Sequence, residues 1–117
     1  MISHTTQTLD SGLPVLTSAS DGTASVTAMV FAGAGSRYEK ESERGISHFL
    51  EHMFFKGGDR YKTTKEVSVA IDAVGGEFNA FTGKEYAGYY VKVAAEHVDL
   101  GCDVLGDMLC NASFPQE

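Results

Sequence analysis

Ile46-Ser47-His48-Phe49-Leu50-Glu51-His52-Met53 is the stretch that organises the chain. His48, Glu51 and His52 stand at i, i+3 and i+4, so a helix carries them on one face about 100° wide. Ile46, Phe49, Leu50 and Met53 recur at i, i+3, i+4 and i+7 and predict a core stripe pointing the other way. One helix would then bury an apolar face and present two imidazoles and a carboxylate to a cleft. Two imidazoles one turn apart can share a zinc ion, and a catalytic zinc takes three protein ligands. Glu51 beside them can take a proton from water whose pKa the metal lowers. The third ligand is open: Glu77, Glu85, His4 and His97 are available, and spacing does not choose among them.

Outward from this helix, predicted over 45–56, Gly57-Gly58 stops it. Thr63-x-x-Glu66 reads as a capping box opening a second helix, with Val67, Ala70, Ile71 and Val74 as its stripe and Gly75-Gly76 as its end. Residues 77–82 and 85–93 predict two strands joined by a Gly83-Lys84 type II′ turn. Tyr86, Tyr89 and Tyr90 fit strand packing. A last helix is expected over 95–109, with Val98, Cys102, Leu105, Met108 and Leu109 inward and Asn111 as its stop.

On the other side, residues 5–9 and 15–18 read as short strands around an Asp10-Ser11-Gly12 turn. Residues 24–32 read as a strand with two apolar faces, hence a central one. Gly33 to Gly45 is a glycine-rich, then charged, solvated connection without the Lys-Ser/Thr ending of a phosphate loop, and Arg37 in it is a candidate functional residue. The order β-β-β-α-α-β-β-α predicts an α+β fold, a mostly antiparallel sheet with helices on one face.

At 117 residues the chain holds one core, and residues 1–117 read as a single, incomplete domain. A net charge of -7 speaks against a nucleic-acid binder. No apolar run reaches the roughly 18 residues of a membrane span, and Met1-Ile2-Ser3-His4 has no signal-peptide character, so a cytoplasmic location is expected. Cys102 and Cys110, eight apart on one helix and so about 12 Å along its axis, cannot bridge each other and read as buried free thiols.

Gly45 through Gly57 resembles the inverted zinc motif of the pitrilysin/insulinase (M16, mitochondrial processing peptidase-like) metallopeptidases. Gly35-Ser36-Arg37-Tyr38-Glu39 before it and Gly75-Gly76-Glu77-Phe78-Asn79-Ala80-Phe81-Thr82 after it are similar to the family's flanking blocks. The resemblance implies a zinc endopeptidase with one Zn2+ per complete site, His48 and His52 as ligands and Glu51 as catalytic base. It places the third ligand, a glutamate, roughly 76 residues after the second histidine, near position 128. It also implies that Asn79, Ala80 and Phe81 lie on a strand edge that holds an extended peptide substrate by β-augmentation. Read from the residues alone, Asn79 serves equally well as a polar residue beside a turn.

By the same resemblance the chain is the first part of a longer protein, and alone it is expected to bind metal weakly and to cleave little or nothing. An unfinished sheet edge would invite self-association. The alternative is a non-catalytic peptide- or partner-binding subunit, against which the intact zinc motif counts.

Overall fold

The computed structural model describes residues 1–115; Gln116 and Glu117, the last two residues of the expected segment, lie outside the described residues. The elements follow the expected order: β1 (Ile2–Thr8), β2 (Pro14–Ser20), β3 (Ser25–Ala32), α1 (Ile46–Phe54), α2 (Thr64–Asp72), β4 (Glu77–Thr82), β5 (Ala87–Ala94) and α3 (Val98–Cys110). Short 3-10 turns occupy Ser36–Tyr38, Glu41–Glu43 and Ala95–His97.

The strands form two antiparallel sheets. β1 and β2 make a two-stranded ribbon in register from Ile2 opposite Ser20 to Thr8 opposite Pro14. The Asp10-Ser11-Gly12 turn closes it, with Gly12 at φ +86°. The second sheet has the order β3-β5-β4. β5, not β3, is therefore central, which corrects the expectation for residues 24–32. The two apolar faces of β3 have a different cause: one meets α3, while Met29 and Phe31 on the other stay exposed.

The helices cover one face of this sheet, α3 over β5 and β3, α1 and α2 over β4. Ala87, Tyr89, Val91 and Val93 alternate along β5 into the core, where they meet Val67 and Ile71 of α2 and Val104, Leu105 and Met108 of α3. Gly101, Val104, Leu105 and Met108 form the buried stripe of α3. Cys102 lies one position off that stripe and, like Cys110, is exposed and free, so the expectation of buried thiols fails. Gly101 rather than Cys102 takes the position beneath Val91 and Val93, and the buried stripe runs on from it through Val104, Leu105 and Met108.

α2 is built as its sequence predicts. Thr63 Oγ1 accepts the Glu66 N–H at 3.2 Å, and the Glu66 carboxylate accepts the Lys62 N–H at 2.7 Å. At its far end Gly76 N–H reaches Ile71 C=O and Gly75 N–H reaches Asp72 C=O, both at 3.0 Å, with Gly75 left-handed at φ +65°. The β4–β5 turn differs from expectation. Gly83 N–H bonds Tyr86 C=O at 2.8 Å, which puts Lys84 and Glu85, not Gly83 and Lys84, at the turn's centre.

The 57–61 loop after α1 is fastened to α3. Asp107, only 6% exposed, accepts the backbone N–H groups of Asp59, Arg60 and Tyr61 at 3.0–3.1 Å and the Asn111 amide at 3.2 Å. Burial pushes its carboxyl up, but these donors outweigh burial and hold it below the usual carboxylate range.

Candidate metal centre

α1 presents His48 and His52 on an exposed side, with their Nε2 atoms 3.1 Å apart. Both rings thus turn the same nitrogen toward one point. Two nitrogens on a tetrahedral zinc, each 2.0–2.1 Å from it, stand about 3.3 Å apart, so the observed spacing suits a shared ion. One ligand atom from each of His48, Glu51 and His52 lies within 4.8 Å of the other two. Among the described residues this is the one such group of three. Neutral imidazole pairs and a carboxylate are the donor set that zinc takes readily.

The rotation of α1 is not the one its apolar pattern predicts. Ser47, Leu50, Glu51 and Phe54 face the sheet, while Ile46 is 46% and Phe49 61% exposed. Glu51 therefore does not point away from the core. It is half-buried between α1 and β4, where the Thr82 hydroxyl donates to its Oε2. Tyr89 lies beneath; burial first, and then the nearby Glu51 charge, push its phenol up. Phe54 packs edge-on against Tyr89 at 5.4 Å and Phe55 against Phe78 at 5.3 Å, which fastens the end of α1 to the sheet.

The other candidates stand apart from this cluster. Arg37 forms an ion pair with Glu85. His97 faces Glu96 at 3.7 Å, His4 sits on β1, and Glu77 lies at the start of β4. Among the described residues none of the four proposed alternatives, Glu77, Glu85, His4 or His97, joins the cluster.

Asn79, Ala80 and Phe81 lie on β4, whose outer side is a free edge of the three-stranded sheet. The Gly83–Tyr86 bond fixes the alternation along the β4–β5 pair. Asn79 and Phe81 then bond their partners Tyr90 and Gly88, while the backbone groups of Phe78, Ala80 and Thr82 point to the edge. The Ala80 N–H is held at 2.9 Å by the Asn79 side chain. So Asn79 and Phe81 contribute side chains, and Ala80 is the residue of the three with outward backbone groups. Thr82, quoted in the sequence block but assigned no role there, connects this edge to Glu51. Its β4 parity, shared with Phe78 and Ala80 on the helix side, was the available signal.

A family model described as Insulinase (Peptidase family M16) matches residues 14–117. The chain belongs to peptidase family M16. An uncharacterized zinc protease of Bacillus subtilis is 49% identical over 92 residues, 79% of this chain and 22% of that protein. A probable mitochondrial-processing peptidase subunit beta of Arabidopsis thaliana is 41% identical over 110 residues, 94% of this chain and 20% of that one. In three dimensions the crystal structure of a protease from Helicobacter pylori superposes with a TM-score of 0.91 at 26% identity, covering 99% of this chain and 28% of that one. The chain thus spans about a fifth of the length of these two curated relatives. No helix among the described residues is long and apolar enough to cross a membrane.

Proposed function

We propose that this chain carries the catalytic helix of a zinc-dependent M16 endopeptidase acting on extended or unfolded peptides. The observation that carries this reading is the 3.1 Å convergence of His48 and His52 Nε2 beside the half-buried Glu51. His48 and His52 would hold the metal, and Glu51 would serve as base. When bound, zinc supplies Lewis-acid polarisation of the scissile carbonyl and lowers the pKa of the attacking water. Glu51 takes the proton from that water and passes it on to the leaving amine. The Thr82 hydroxyl occupies one oxygen of Glu51 and leaves the other free for the proton.

A substrate strand aligned on β4 would bond the outward groups of Phe78, Ala80 and Thr82, with the Asn79 side chain releasing the Ala80 N–H. Backbone pairing of this kind binds with little demand on sequence. Alternate residues of such a strand face α1, so the scissile bond can lie against Glu51. The third ligand, which a catalytic zinc requires beside two histidines, is assigned to a glutamate in the part of the parent protein beyond this chain. The isolated chain would then bind zinc weakly and cleave little. Its open β3 and β4 edges, with Phe31, Phe81 and Tyr86 clustered on the sheet's uncovered face, favour self-association, which light scattering reads.

The test is zinc content after dialysis together with cleavage of an unstructured peptide by the full-length protein. Near-stoichiometric zinc, with cleavage abolished by chelator and by His48→Ala or His52→Ala, is the expected result. Chelator-insensitive cleavage would overturn the metal reading, and zinc binding without any cleavage would favour a non-catalytic subunit.

A further inference from the structure

The N-terminus of α1 has no local cap. Gly45 occupies the N-cap position at φ +88° and ψ 0°, without a side chain to accept the exposed N–H groups of the first turn. A serine, threonine or aspartate would supply that acceptor, but their side chains are strained at this backbone angle. The acceptor comes from a distance instead. Glu39 Oε2 accepts the Gly45 N–H at 2.7 Å, and Glu39 Oε1 accepts the Ser47 N–H at 2.9 Å. These bonds also hold the Glu39 carboxyl below its ordinary range, the Gly45 N–H contributing most and the Ser47 N–H and hydroxyl adding to it. A carboxylate at a helix N-terminus is further favoured by the helix dipole.

Glu39 is itself fixed to the sheet. Ser36 and Arg37 donate their N–H groups to the Gly83 and Lys84 carbonyls at 3.3 and 2.8 Å, and the Arg37 side chain pairs with Glu85. Gly35 lies so close to this turn that a Cβ there would come within 2.6 Å of the Lys84 carbonyl. The segment from Gly35 to Glu39 is thus a strap, one end anchored on the β4–β5 turn and the other gripping the first turn of α1. His48 is the residue after Ser47, so the grip acts one residue from the first imidazole.

We propose that Glu39 is a positioning residue for the metal centre: through the Gly45 and Ser47 N–H groups it sets the first turn of α1 and thereby the convergence of His48 on His52. This rests on the reading of His48 and His52 as metal ligands. A strap anchored on β4–β5 also fixes the histidines relative to the β4 edge, so the same contact aligns the metal with a peptide bound there. α2 offers an internal control. Glu66 likewise accepts an N–H at a helix N-terminus, but α2 carries no metal-binding side chain in the cluster.

The experiment compares the full-length wild type with Glu39→Ala, Glu39→Gln, Glu66→Gln and His48→Ala. Zinc affinity is read by competition with a chromophoric chelator, the Co2+ d–d spectrum reports ligand geometry, and melting temperature reports stability. Glu39→Ala is expected to weaken zinc about tenfold and to shift the Co2+ spectrum. Glu39→Gln, whose amide oxygen can still accept but whose charge is gone, is expected to weaken it about threefold. Glu66→Gln should lower the melting temperature and leave zinc affinity and the Co2+ spectrum unchanged. If Glu39→Ala fails to fold, Glu39→Gln decides. Wild-type zinc affinity and an unchanged spectrum in Glu39→Gln would overturn the inference and leave Glu39 a fold-stabilising cap. Zinc affinity in His48→Ala equal to wild type would instead overturn the metal reading, and this inference with it.

Discussion

α1 and α2 are both nine residues long and are held in opposite ways. α2 closes on itself: Thr63 and Glu66 cap its start, Gly75 and Gly76 its end, and Val67 and Ile71 are completely buried. α1 has no local cap, receives its N-terminal acceptor from Glu39, and leaves Ile46 and Phe49 largely uncovered. It spends part of its sheet-facing side on Glu51, a residue that packing alone would replace by an apolar one. α2 thus serves the core, whereas α1 is placed by contacts from outside the helix, Glu39 at its first turn and Thr82 at Glu51. Local rules are most often broken where function sets the geometry.

Three substitutions in the 117-residue chain sharpen this contrast, read as free energies of denaturant unfolding. Ile71→Ala removes a side chain with no exposed surface from α2, and a loss of about 3 kcal/mol is expected. Asp107→Asn weakens the acceptor that fastens the loop after α1 to α3, and about 2 kcal/mol is expected. That variant also has a pH signature. The folded Asp107 carboxyl lies below its ordinary value, so its contribution is fully present above about pH 4 and is lost as pH falls through the depressed folded value. The gap between wild type and Asp107→Asn should therefore narrow in acid; a constant gap would mean that the carboxylate charge is not what holds the loop. Phe49→Ser should change stability by no more than about 0.5 kcal/mol, because the ring is 61% exposed. A loss of about 3 kcal/mol there would restore Phe49 to a core and break the contrast.

The same contrast explains what was legible in the sequence. Element order, the α2 capping box and the Gly75-Gly76 stop are local signals, and each appears where its residues predict it. The apolar spacing of α1 was misleading because Ile46 and Phe49 satisfy a helical period without facing this core. The edge position of β3 was hidden because exposed Met29 and Phe31 mimic the second apolar face of a central strand. The exposure of Cys102 depends on which side of α3 meets β5, where Gly101 and not Cys102 lies beneath Val91 and Val93, a tertiary choice that no local pattern carries. For the candidate site, the spacing of His48, Glu51 and His52 was enough to bring the three together. The partners of that trio, Thr82 for Glu51 and Glu39 for the first turn of α1, both lie in blocks flanking the motif. Their roles were illegible because each contact joins residues that only the fold makes neighbours.

In the proposed reading Glu51 is the base beside a metal that it does not need to hold. Glu51→Gln keeps the size of the side chain and an acceptor for the Thr82 hydroxyl, but removes the proton-accepting charge. In the full-length protein, zinc content and peptide cleavage measured on one preparation should show zinc retained and the cleavage rate reduced about a thousandfold. Cleavage at the wild-type rate by a zinc-loaded Glu51→Gln variant would contradict the account.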